Sequence, residues 1–134
     1  MKKPRENALR WFRQAEHDLE TARRHLDWCA ADACYCAEQA SQKALKAFLY
    51  LRGERSAPEH SVVELARQCA AKDPSFACFV TAVATLDQYY VPTRYPDALA
   101  DPAVPFETYT LPQAEEAIRL ASEIMEAVRK QLGG

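Results

Sequence analysis

Apolar residues return every three to four positions along the first stretch of the chain: Ala8, Trp11, Phe12, Ala15, Leu19, Ala22 and Leu26. The spacing draws one stripe along a helix over about residues 5–27, with Arg10, Arg13, Glu16, Glu20 and Arg24 on its polar face. "WCAADA" interrupts the pattern, and Asp32 is the expected N-cap of a second helix over about 33–52. That helix reads "ACYCAEQASQKALKAFLYLR", so rich in alanine and cysteine that neighbouring helices can approach it closely; Gly53 is placed to stop it. After the loop "ERSAPEH", Ser61 with Glu64 forms a capping box that opens a helix over about 61–71. Asp73-Pro74 restarts the chain, and a fourth helix is expected through "FACFVTAVATLDQYY". Thr110 with Gln113 opens the last helix, which runs to about Leu132 with Ala114, Ala117, Ile118, Ala121, Ile124, Met125 and Val128 inward.

These elements predict an all-α fold: a four-to-five-helix up-and-down bundle forming one domain over residues 1–134. Ahead of the last helix lies a long Pro-rich connection, residues 91–109, holding Pro92, Pro96, Pro102 and Pro105. Its residues Tyr90, Val91, Tyr95, Leu99, Val104, Phe106 and Tyr109 make it too apolar for a free linker. An ordered strap laid across the bundle is expected, since loops of this length are either functional or held down by packing.

Composition narrows the classes. With 49% hydrophobic and 27% charged residues the chain has the balance of a globular protein, and no apolar run is long enough to cross a bilayer. The basic start "MKKPRENALRWF" leads into no apolar segment, so no signal peptide is read, and a cytoplasmic location without membrane association is the expectation. The net charge of −2 divides into +3 over residues 1–55 and −5 over 56–134, a mildly basic half and an acidic one. Cys29, Cys34, Cys36, Cys69 and Cys78 form no even-numbered disulfide framework and read as small buried hydrophobes. His25, Cys29, Cys34 and Cys36 are the sharpest metal candidates, but no usual zinc spacing occurs, so neither metal nor cofactor is expected.

The order "ALRWFRQAEHDLETARRHL", "CYCAEQASQKALKAFLYLRG", "HSVVELA", "YYVPTRYPDA" and a final amphipathic helix resembles the HEPN domain over nearly the whole chain. Its most specific parts are the run from Gln39 to Ala47 and the run from Thr93 to Asp97; Gln42 stands where the family pattern has a glutamate. The resemblance implies a helical bundle that commonly homodimerises and often works beside a minimal nucleotidyltransferase. Some relatives are toxin ribonucleases and others are noncatalytic binding modules.

The ribonuclease members carry Arg, four to six intervening residues, then His near the start of the final core helix. Metal-free RNA cleavage needs a base for the 2′-hydroxyl and a cation for the developing phosphorane charge. Arg94 stands at the matching place, yet no histidine follows it. Arg10 with His17 and Arg55 with His60 fit the spacing elsewhere, against about 0.7 matches expected from composition alone.

The chain is therefore expected to be a noncatalytic, homodimeric module that contacts nucleotide or RNA and pairs with a nucleotidyltransferase. The candidate ligand groups are Lys43, Lys46, His60, Arg94, Tyr95 and Asp97. Each has a structural alternative. Lys43 and Lys46 can form a solvated helix face, and His60 can be a hydrogen-bonding residue at a helix entrance. Arg94 can anchor the strap through carbonyls or pair with Asp97, Asp87 or a carboxylate of the first helix. That reading is favoured for Arg94 and Asp97, because a corner stiffened by prolines serves packing as readily as binding. Two alternatives are carried: a metal-independent endoribonuclease toxin using His60 with Arg55 or Arg94, and a purely structural dimerisation module.

Overall fold

A computed structural model of the protein describes residues 3–133. In chain order the helices are α1 (Pro4–Arg24), α2 (Ala30–Leu51), α3 (Val62–Lys72), α4 (Phe79–Ala82), α5 (Pro105–Thr108) and α6 (Leu111–Gln131). Among the described residues there is no strand, and no helix is long and apolar enough to cross a membrane. The all-α expectation is met.

Helix α2 is the central rod. Ala33, Ala37, Ala40 and Ala44 on it and Ala8, Ala15 and Ala22 on α1 are all fully buried. Side chains this small let two backbones come close, and α1, α3, α5 and α6 all pack against α2. α6 runs antiparallel to α1: Arg5 donates to the Leu132 carbonyl at 2.7 Å, Glu16 lies 3.4 Å from Arg129, and Arg23 donates to Ser122 at 3.2 Å. Every inward residue expected on α6, from Ala114 to Val128, is buried.

The helix ends explain themselves locally, with one correction. α2 begins at Ala30, capped by the backbone of Cys29, whose carbonyl accepts from Ala33 at 3.0 Å. Asp32, expected as the N-cap, lies inside the first turn instead, where its charge faces the positive end of the helix dipole. The alanines on either side of it propagate the helix back past the aspartate. Gly53, at φ 96°, closes α2 with paired bonds from Gly53 to the Tyr50 carbonyl and from Glu54 to the Leu49 carbonyl. At α6 the capping box is complete: Thr110 accepts from the Gln113 amide N–H, and the Gln113 side chain accepts from the Thr110 N–H.

At α3 the expected box is only half formed. Ser61 accepts from the Glu64 amide at 3.1 Å, but the Glu64 carboxylate turns to Arg67 and the Ser61 N–H goes to Glu59. The missing partner comes from far along the chain. Asp87 accepts from the Val62 N–H at 2.5 Å, the Ser61 hydroxyl at 2.8 Å and the Val63 N–H at 3.3 Å. Asp87→Ala is expected to destabilise the fold by about 2 kcal/mol, the combined loss of a cap and of charge-assisted bonds. A denaturant melt showing less than about 0.5 kcal/mol would remove Asp87 from that role.

The expected fourth helix is not one regular α-helix. Pro74–Cys78 and Val83–Tyr89 are 3-10 segments around the single α-turn α4. Its buried row explains why: Phe76, Phe79, Val83, Leu86 and Tyr89 recur mostly every third residue, the repeat of a 3-10 helix. Val80, Thr81, Val83 and Thr85 also lower its α-helix preference.

The strap is ordered, with a 3-10 turn at Pro96–Ala98 and α5 lying on α2. Thr93 and Pro105 are buried, and Leu99, Val104 and Tyr109 are half-buried. Val91, Tyr95 and Phe106 point outward, so its apolar side chains do not all face the bundle.

Candidate functional site

One side of α2 carries a row of aromatic and polar side chains that are half-buried or buried. Along it lie Tyr35, Gln39, Gln42 and Lys46, three to four residues apart and therefore on one side of the rod. The rim on one side is the α3 entrance and the strap, with His60, Tyr90 and Arg94. The rim on the other side is α1, with Trp11 and Asp18.

Arg94 leans over three tyrosines. Its guanidinium carbon is 4.6 Å from the Tyr35 ring centre, 5.0 Å from Tyr95 and 5.2 Å from Tyr90, and its Nε donates to the Tyr90 carbonyl at 3.0 Å. The carbonyl anchor expected of a strap arginine is present. The alternative, an ion pair, is not formed: among the described residues Arg94 pairs with neither Asp97, Asp87 nor an α1 carboxylate. Asp87 is committed to capping α3, and Asp97 lies exposed beyond the corner. Aromatic faces thus hold the charge in place while its outer donors stay available.

His60 stacks on Tyr90 with ring centres 5.2 Å apart and 15° between planes. Its backbone N–H, like that of Ser61, donates to the Glu59 carboxylate and holds that group below the usual carboxylate range. His60 and Arg94 therefore rest on the same ring, although they are 34 positions apart in the sequence. Arg55, its expected helper in a nuclease, is exposed on the loop and joins none of these contacts among the described residues.

The two lysines are not a solvated face. Lys43 is half-buried and pairs with Asp18 at 2.5 Å, which removes it from the free cations of the groove. Lys46 is only 7% exposed, with its amine 5.6 Å from the Trp11 ring centre. Burial pushes the Lys46 pKa down, while Glu38 and Glu59 draw it back up.

Beneath the groove lies a carboxylate absent from the residues expected there. Glu38 is fully buried and accepts from Gln39 at 2.8 Å and Gln42 at 2.5 Å. Burial pushes its pKa up to about 7 against the opposing pull of those two amides; Asp87 raises it further and Arg94 lowers it. The available signal was periodic: Glu38 and Gln42 are one turn apart on one side of α2. Beside the groove, Asp32, Thr93, Arg94, Pro96, Val104, Pro105 and Phe106 line a cavity of about 380 Å³. Among the described residues no three His, Cys, Asp or Glu side chains are grouped to hold a metal. Cys34, one of the sequence candidates, is buried with its thiol pKa pushed up to about 12.

The family model of the HEPN domain matches residues 8–131. The chain belongs to the HEPN family. Its fold is similar to that of TT1696 from Thermus thermophilus, at 39% identity and TM-score 0.83 over 92% of this chain and 96% of that one. It is also similar to ST0689, an archaeal HEPN homologue, at 32% identity and TM-score 0.76 over 98% and 99% of the two chains. No curated protein matches. Within this HEPN fold the departure at Gln42 has a local reason. Its amide donates to buried Glu38 at 2.5 Å, where a glutamate would set a second carboxylate against the first.

Proposed function

We propose that this HEPN protein is a noncatalytic binding module that takes a nucleotide or RNA in the α2 groove, acting as a homodimer beside a minimal nucleotidyltransferase. The observation that carries the reading is the state of Arg94. Its guanidinium is exposed, fixed by three aromatic rings and unpaired with any carboxylate among the described residues. A planar cation fixed in this way fits a phosphate, and exposed Tyr95 beside it offers a face for a base. Buried Glu38, whose pKa lies near neutrality, adds weight, because carboxylates perturbed in this manner gather at working sites. Calorimetry with ATP is expected to register binding that Arg94→Ala weakens about tenfold, the effect of one charged contact. Absence of heat with the unaltered protein would end the nucleotide reading.

One observation favours a second reading, a metal-independent endoribonuclease: His60 and Arg94 share the Tyr90 ring. Under that reading expression arrests growth, and either His60→Ala or Arg94→Ala relieves the arrest. Harmless expression together with intact RNA after incubation rejects it.

A further inference from the structure

The α1 rim carries two exposed arginines, Arg10 and Arg13, that the Arg94 groove does not use. Arg10, Trp11, Arg13, Gln14 and His17 from α1 and Lys43 from α2 line a cavity of about 740 Å³. Positions 10, 13, 14 and 17 fall on one helical stripe, and from Arg10 to His17 that stripe covers about 10 Å at 1.5 Å per residue. Of the carboxylates farther along α1, Glu16 and Glu20 are engaged away from the cavity, and Asp18 stays at its edge, bonded to the lining residues. Glu16 reaches Arg129, Glu20 pairs with Arg23 and Arg24, and Asp18 accepts from both Lys43 and Gln14. Glu6, one turn before Arg10, is the acidic neighbour on the same stripe. Arg10 and Arg13 are exposed and make no ion pair among the described residues, whereas Arg23, Arg24, Arg67, Arg119 and Arg129 all do.

We propose that this rim is a second binding element, a phosphate track for single-stranded RNA that leads over Lys46 into the Arg94 groove. The proposal deepens the nucleotide-or-RNA reading and rests on it for the ligand class. Two guanidinium forks one helical turn apart, Arg10 and Arg13, suit successive phosphates of a strand better than one isolated phosphate. Half-buried Trp11, tilted against Tyr50 at 5.4 Å, walls the row with an aromatic surface, the combination that sequence-tolerant single-strand sites use. Lys46 lies between the two halves: its amine is over Trp11, and it shares one side of α2 with half-buried Tyr35 and Gln39.

Fluorescence anisotropy with an end-labelled single-stranded RNA octamer tests the track, with ATP calorimetry run alongside. In the Arg10→Glu/Arg13→Glu variant, octamer affinity is expected to fall at least tenfold. Its logarithmic salt dependence should become shallower by about 1.4, the value for two lost phosphate contacts on a single strand, with ATP affinity unchanged. Both substituted residues are exposed and unpaired, so the melting temperature should match that of the unaltered protein. An octamer affinity and salt slope that survive the double substitution overturn the track, even where Arg94→Ala still weakens ATP binding. The reverse result, RNA binding lost with the track while Arg94→Ala leaves ATP binding untouched, supports the track and rejects the groove reading. Poly-glutamate that binds as tightly as RNA and is lost in the same variant marks an acidic-protein surface and overturns the proposal. So does an unaltered protein that binds neither polymer.

Discussion

Glu38→Gln is expected to make the protein more stable at pH 8 and to flatten the fall in its stability between about pH 4.5 and 7. The folded-state pKa of Glu38 is raised to about 7 by burial, so in that interval the folded chain holds a proton that the unfolded chain has released. Stability from this group is therefore complete below the ordinary carboxylate value and lost as pH rises through 7, a total of about 3 kcal/mol. Glutamine cannot ionise, and its amide can still meet Gln39 and Gln42 after one of them turns over, at a cost of about 1 kcal/mol. Denaturant melts of both proteins from pH 5 to 8 measure the difference. Parallel curves would show that Glu38 does not titrate in this window.

A buried carboxylate that weakens the fold at neutral pH gains nothing from packing. Its two amide donors, Gln39 and Gln42, lie on the same side of α2 as Tyr35, which Arg94 covers. This is where local pattern and the needs of a site part company. The rods themselves were legible because each reports its own periodicity: the α1 and α6 stripes, the glycine stop at residue 53 and the box at Thr110 are all decided within a few residues. The irregular fourth element was legible only in hindsight. Val83, Leu86 and Tyr89 spell a repeat of three, but over so short a run a repeat of three and one of 3.6 are hard to separate.

The groove was less legible for a physical reason. Lys43 and Lys46 looked alike on paper, and what separates them is Asp18, which reaches across from α1 to neutralise one and not the other. Asp87 looked available to Arg94 until the unsatisfied amides at the start of α3 claimed it. Tyr35 gave no hint that it would lie under an arginine of the strap. Such pairings depend on how the rods sit in space, and spacing along one rod does not contain that information. Of the charged pair in the run from Thr93 to Asp97, Arg94 lies over Tyr35 of α2 and Asp97 is exposed.

Phe48→Ala is expected to cost about 4 kcal/mol and to lower the melting temperature by on the order of 15 °C. Phe48 has no exposure and meets Phe76 at 4.5 Å between ring centres, and Phe76 in turn meets Phe79 at 6.0 Å. This chain of rings ties α2 to the irregular segment, which is mostly 3-10 helix, carries Asp87 and leads into Tyr90. Emptying the site therefore does more than leave a cavity: it loosens the scaffold behind the α3 cap and the Tyr90 ring. Phe48→Leu refills most of the volume and should cost about half as much. Hydrogen exchange should then rise first over residues 74–90, before α1 and α6 are affected. Uniform exchange across the chain in Phe48→Ala would mean that the aromatic chain has no special hold on that segment.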